Sequence, residues 1–279
     1  QLTQAHRQGK IPQRAVVITF DDGYVDNLDN AKPLLEKFNI PATVFITTGE
    51  VGKNREFWWD ELERVLLKPG RLPDKLCLEI NGSTHSWELG AAVDYSEGEY
   101  QSDRARNAWD GEPGSRLAFY YSVWEQLRPI PAFERQQLQD QIIAWASAEP
   151  TPRPSYRPLV REEVRTLAQG GLVEIGAHTV THPFLSAHDV TFQRDEIQQS
   201  KADLEALLEH SVNSFAYPFG DYAPDTVPLI PEAGFNCACS TVQHTVWRHS
   251  DCYQFPRFAV ENWNSKEFEK RLFKWFYSG

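Results

Sequence analysis

Thr19-Phe20-Asp21-Asp22-Gly23-Tyr24 closes an apolar run, Ala15-Val16-Val17-Ile18, that reads as a buried strand. Two adjacent carboxylates at the end of such a strand are costly to bury unless something positive holds them. A second stretch far downstream offers that partner. His178-Thr179-Val180-Thr181-His182 also follows an apolar run. One Asp and two His make a three-ligand set for a divalent metal with a position left open. The other Asp is free to act as a base. This is the inventory of a metal-dependent hydrolase.

Working outward, a helix is expected over residues 27–38, delayed or kinked by Pro33. Asn39-Ile40-Pro41 breaks it, and Ala42 to Ile46 forms a second strand. Two buried strands joined by a helix predict parallel pairing. Residues 53–155 break that rhythm and read as an inserted, mostly helical subdomain, closed by Pro150-Thr151-Pro152-Arg153-Pro154. Within it, Asn81-Gly82 marks a hairpin, and 94–116 reads as loop. The strand–helix alternation resumes from residue 156, with a last strand at Arg257-Phe258-Ala259-Val260 and a closing helix. The expected fold class is α/β, a barrel or open sheet built from residues 14–52 and 156–279. In both forms chemistry gathers at the carboxyl ends of strands, where Asp21-Asp22, His178–His182 and Tyr217-Pro218 fall.

The 279 residues carry 41% hydrophobic and 24% charged side chains, ordinary for a globular protein. Net charge is −11 and no Lys/Arg-rich run occurs, so a nucleic-acid partner is not expected. No stretch approaches the roughly 18 apolar residues of a membrane span. The four cysteines form no CxxC pair and read as small buried residues. Without an initiator Met the chain reads as trimmed or processed. Gln1 to Gln13 holds no signal-peptide core, and the cytoplasm is the default compartment. A His-x-x-x-His pair also suggests a zincin helix, but the general base is missing, because Thr179 stands where its Glu belongs.

The motifs 19–23, Gly176-Ala177-His178-Thr179-Val180-Thr181-His182-Pro183 and Phe215-Ala216-Tyr217-Pro218-Phe219-Gly220 resemble those of the polysaccharide deacetylase family, the NodB-homology group of carbohydrate esterases. The resemblance covers 14–50 and 157–260, not the insertion. It implies a distorted, incomplete (β/α) barrel. It also implies that Asp21 is the base, that Asp22, His178 and His182 hold the metal, and that Tyr217 and Pro218 lie against a carbohydrate substrate. The implied activity is removal of an N-acetyl or N-formyl group from an amino sugar in a bacterial glycan. The ligand set suits Zn²⁺, with Co²⁺, Ni²⁺ and Fe²⁺ open. The backbone N–H of Phe219 is expected to face the acyl oxygen.

The chain departs from the family pattern in three places. Ala216 stands where the family often has an Arg that orients the base, and Arg257 is the candidate to replace it. No Leu-x-His follows Val260 to supply an acid, and His244 and His249 are weak substitutes. The insertion is long. An O-acetyl esterase and a catalytically silent carbohydrate binder stay open as alternatives. The decisive expectation is that the Asp22 carboxylate lies within about 6 Å of both imidazoles, as bonds of roughly 2 Å to one cation require.

Overall fold

The computed structural model describes residues 1–277. In chain order the strands are β1 (Ile18–Phe20), β2 (Ala42–Ile46), β3 (Gly70–Arg71), β4 (Lys75–Ile80), β5 (Ser83–Glu88), β6 (Asp94–Tyr95), β7 (Val173–Ala177), β8 (Ser214–Ala216) and β9 (Cys237–Cys239). The chain divides into two compact units, residues 1–52 with 159 onward, and residues 53–158.

The first unit is a mixed α/β structure on a curled, parallel half-barrel sheet of order β1-β2-β7-β8-β9. Apolar residues from the sheet and its helices, among them Val44, Ile46, Ile175, Ile197, Phe215 and Leu207, form one buried core. A single parallel bridge from Cys239 to Phe255 prolongs the sheet. Past that bridge the next inward-facing N–H, that of Arg257, donates to the Val242 carbonyl beyond the end of β9, and the ladder stops. The strand expected at 257–260 therefore does not form. The lead-in to β1 also differs from expectation. Residues 15–17 lie outside the strand, with Val16 57% and Val17 49% exposed. β1 is an edge strand, paired on one side only.

The helix after the Asp-Gly turn opens as a π turn, Asn27–Ala31, and continues as an α-helix, Lys32–Phe38, with Pro33 in its first turn. Because the helix is already under way, the missing proline N–H leaves a gap in its ladder where the π turn meets the α segment. Asn39 ends it in the left-handed conformation at φ 51°. No helix of the described residues is long and apolar enough to cross a membrane.

The second unit packs the helices Trp58–Leu66, Arg116–Leu127 and Ala132–Trp145 with two small antiparallel pairs. Asn81 and Gly82, at φ 52° and 74°, make the two-residue turn between β4 and β5. The stretch expected as loop contains a helix, Glu97–Asp103, started by a Ser96–Glu99 capping box. Two buried ionic groups organise the unit. Arg116, 2% exposed, donates to the carbonyls of Ala92 (2.6 Å), Val93 (2.7 Å), Leu66 (3.0 Å) and Gly70 (3.3 Å). Glu56 near the start accepts from Arg153 near the end, at 3.1 Å from Nε and 2.8 Å from Nη2, so one carboxylate ties the two ends together.

Candidate metal centre

Every strand of the first unit hands its carboxyl end to a segment of the site. β1 ends at Phe20, so Asp21 and Asp22 follow at once. Asp22 adopts φ 74° and Gly23 φ 90°, which turns the chain back. A side chain on Gly23 would strike Ile46, at 2.8 Å from its Cδ1. The Asp22 carbonyl accepts from the Thr47 N–H at 3.1 Å, pinning the turn to the end of β2.

The histidine segment is held from the same strand end. His178 N–H donates to the Ile46 carbonyl, Thr48 N–H to Thr179 and Gly49 N–H to Val180. Gly49 is required there, because a Cβ would sit 2.5 Å from the Val180 oxygen. Thr179 Oγ1 accepts from the His182 N–H at 3.1 Å. On the other side Glu196, 6% exposed on the helix Val190–Leu208, accepts from Val180 N–H (2.8 Å), Thr181 N–H (2.8 Å) and Thr181 Oγ1 (2.7 Å). Sequence reasoning missed Glu196. Its signal was a polar residue on the buried stripe of an amphipathic helix, beside Ile197 and in step with Leu204 and Leu207.

These restraints bring three ligand atoms into a tight triangle. Asp22 Oδ1 lies 3.4 Å from His178 Nε2 and 3.1 Å from His182 Nε2, and the two Nε2 atoms are 3.2 Å apart. Tetrahedral bonds of about 2.0–2.1 Å space their ligand atoms about 3.3–3.4 Å apart. The triangle therefore has the size of one face of such a shell, and Asp22, His178 and His182 form a group able to hold a metal ion. The 6 Å requirement is met with room to spare. His178 Nδ1 sits 2.7 Å from the Ala216 carbonyl, so it carries the proton and donates. That leaves the Nε2 lone pair facing the triangle, the usual outer support of a ligating imidazole.

Burial disfavours the Asp22 carboxylate charge. Hydrogen bonds and charge from His178 and His182 outweigh that and hold its pKa well below the usual range. Burial likewise disfavours a charged His178, but Asp22, then Asp21, push its pKa above the ordinary value.

Asp21 turns away from the triangle to Arg257. The guanidinium grips the carboxylate as a fork, Nη1–Oδ1 2.7 Å and Nη2–Oδ2 2.8 Å. Arg257 also donates from Nη1 to Thr19 Oγ1 and from Nε to the Ser240 carbonyl, both at 3.0 Å. It thus bridges the ends of β1 and β9, the two edges of the open sheet. Desolvation works against its charge, and Asp21 more than restores it, raising the pKa above the usual arginine value.

Phe219 sits at φ 56° in the turn Pro218–Gly220. Its ring meets His182 edge-on at 4.4 Å and stacks on Phe184 at 4.2 Å. Tyr217 and Pro218 require correction. Tyr217 is 0% exposed, with its hydroxyl donating to the Tyr253 carbonyl at 2.9 Å, and Pro218 is buried. They end a central strand covered on both faces, so the Tyr217 side chain packs the core rather than a substrate. His244 and His249 are exposed and outside the triangle. Four of the nine described non-glycine residues at positive φ, Asp22, Thr179, His182 and Phe219, belong to this site. Such strain collects where the surrounding structure over-determines the backbone.

Comparison with known proteins follows the same segments. A poly-β-1,6-N-acetyl-D-glucosamine N-deacetylase of Staphylococcus aureus (strain MSSA476) is 44% identical over 62 residues, 22% of this chain and 21% of that protein. The matched stretch is thus about a fifth of the relative's length. The Streptococcus pyogenes deacetylase PplD, solved in complex with acetate, superposes with a TM-score of 0.55 at 16% identity, covering 97% of this chain and 76% of that one. IcaB from Ammonifex degensii superposes at 0.52 with 17% identity, covering 95% and 74%. At such identities the likeness is one of fold. The polysaccharide deacetylase family model matches residues 8–70 and 139–238. Those two segments make up more than half of the sequence and carry the Asp-Asp turn and both histidines, and the chain belongs to the polysaccharide deacetylase family.

Proposed function

We propose that this protein is a metal-dependent N-deacetylase of an acetylated amino-sugar polymer, of the poly-N-acetylglucosamine kind named for its Staphylococcus aureus relative. The observation that carries the reading is the division of labour between neighbouring carboxylates. Asp22 lies in the imidazole triangle and Asp21 in the guanidinium fork. Asp22, His178 and His182 would hold a divalent cation, with Zn²⁺ the best match to one carboxylate and two imidazoles, and when bound it would supply charge to polarise an acyl oxygen and acidify water.

The rest falls to the protein's own side chains. Arg257 holds Asp21 in one orientation and leaves each carboxylate oxygen a further lone pair. Asp21 takes the proton of the attacking water as its oxygen bonds to the acyl carbon. The Phe219 N–H, in a left-handed turn beside His182, is assigned to the acyl oxygen. The C–N bond then breaks, the proton taken up by Asp21 passes to the departing amine nitrogen, and acetate and a free amino sugar leave.

Acetate release from N-acetylglucosamine oligomers, with and without chelator, tests the reading. Chelator-sensitive release is expected, and Asp21→Asn is expected to keep its metal while losing turnover by at least about 100-fold. Full activity in that variant would remove Asp21 from the mechanism. Sugar binding with no release from any acetylated substrate would favour a silent binder.

A further inference from the structure

We propose that the inserted unit, residues 53–158, carries its own sugar subsite, a cavity that holds one ring of the acetylated polymer without reacting with it. The cavity measures about 230 Å³. That is below the range of about 300–1,000 Å³ typical of drug-sized ligands, so it suits a single ring rather than a length of chain.

Its floor is apolar: Leu67, Tyr95 and Leu117 are buried together. Tyr100 and Tyr120, both half-buried, pack against that floor and leave aromatic surface facing the cavity. A pyranose has the same two-sided character, with an apolar C–H face and a polar edge, and tyrosine offers a flat ring with a polar tip.

The polar lining points the same way. Two acids, Glu63 and Asp103, and two bases, Arg104 and Arg106, cancel in charge. An anion site would need surplus bases, and a cation site surplus acids. A balanced set of donors and acceptors fits a neutral polyhydroxyl ligand. Asp103 is already positioned, accepting from the Tyr95 hydroxyl at 2.9 Å with Arg106 at 3.8 Å. Two other groups are unspent. Arg104 makes no ion pair among the described residues and lies 5.6 Å over the Tyr100 ring. The Tyr120 hydroxyl makes no hydrogen bond among the described residues, and burial together with Glu63 and Asp60 keeps it protonated, so it remains a donor. Nothing in the catalytic scheme uses any of these side chains.

The choice of sugar rests on the deacetylase reading, and the experiment separates the two. The full chain, stripped of metal so that nothing turns over, is titrated with N-acetylglucosamine tetramer by calorimetry and saturation-transfer NMR. Binding is expected to survive His182→Ala and to weaken at least about tenfold in Tyr100→Ala and in Arg104→Ala. With metal restored, the same two variants raise KM for the polymer and leave kcat unchanged. Arg104 is exposed, so its variant tests the cavity even if Tyr100→Ala fails to fold. No tetramer binding by the metal-free chain, or wild-type binding in Arg104→Ala, overturns the subsite. Acetate release without any effect of these variants sinks the subsite and spares the deacetylase. Variant-sensitive binding without release does the reverse.

Discussion

Asp21 and Asp22 share a peptide bond and have opposite surroundings. The left-handed turn at Asp22 aims its carboxylate at two imidazoles, while Asp21 stays on the strand side and meets a guanidinium. The fork depends on two parallel N–H donors that lysine lacks. Arg257→Lys is therefore expected to lower kcat about 10- to 100-fold with metal content unchanged, measured by steady-state acetate release and metal analysis. The pH behaviour of metal binding follows from the triangle. In the metal-free protein His178 holds a proton above its ordinary pKa of about 6.5. A cation must displace that proton, so affinity is flat above the raised pKa and falls up to about tenfold per pH unit below it. Competitive titration with a metal-binding dye between pH 5 and 9 checks this, and a flat profile contradicts it. Linkage gives the stability of the metal-free fold with opposite signs for the two partners. The contribution of His178 is full below about pH 6.5 and is lost as pH rises through its raised folded value. That of Asp22 is full above about pH 4 and is lost as pH falls through its depressed one. The pair thus helps most in the window between about pH 4 and 6.5.

The element that fixes the histidines is a helix that contributes no ligand. Glu196 reaches from Val190–Leu208 to two backbone N–H groups and a hydroxyl of the ligand loop. Outer partners of this kind alter metal affinity about 10- to 100-fold when removed. Glu196→Ala is expected to weaken metal binding by that factor with far-UV dichroism unchanged, and Glu196→Gln to recover part of it. Equal affinity in all three proteins would reduce Glu196 to a packing residue. Legibility at this scale followed the range of the cause. Asp21-Asp22-Gly23, the His178–His182 segment and the Asn81-Gly82 hairpin were readable because turn chemistry is local. Ser96-x-x-Glu99 was equally local, and its helix was overlooked. Val16 and Val17 misled, since an apolar run does not reveal that its strand lies at the edge of the sheet. Residues 257–260 misled because the N–H of Arg257 meets Val242, past the end of β9, and no further pair forms. Tyr217 misled because a motif position does not say which face of the strand end is open. Arg257 as the partner of Asp21 was only a candidate in the sequence, since 236 residues separate them.

For the whole molecule, one cation at Asp22, His178 and His182 would join the ends of β1 and β7. Ligand binding to the folded state alone at 100 times Kd adds about 2.7 kcal/mol. For a chain of this size that corresponds to roughly 5–10 °C in Tm. Calorimetry before and after chelation, with His182→Ala as control, is expected to show that drop in the wild type and none in the variant. The bridge by Arg257 has a consequence for biogenesis. All three ligands, the Glu196 brace and the Ala216 carbonyl lie within the first 216 residues, yet the guanidinium that orients Asp21 comes only at 257. During synthesis, therefore, every part of the triangle is made before the guanidinium that meets Asp21.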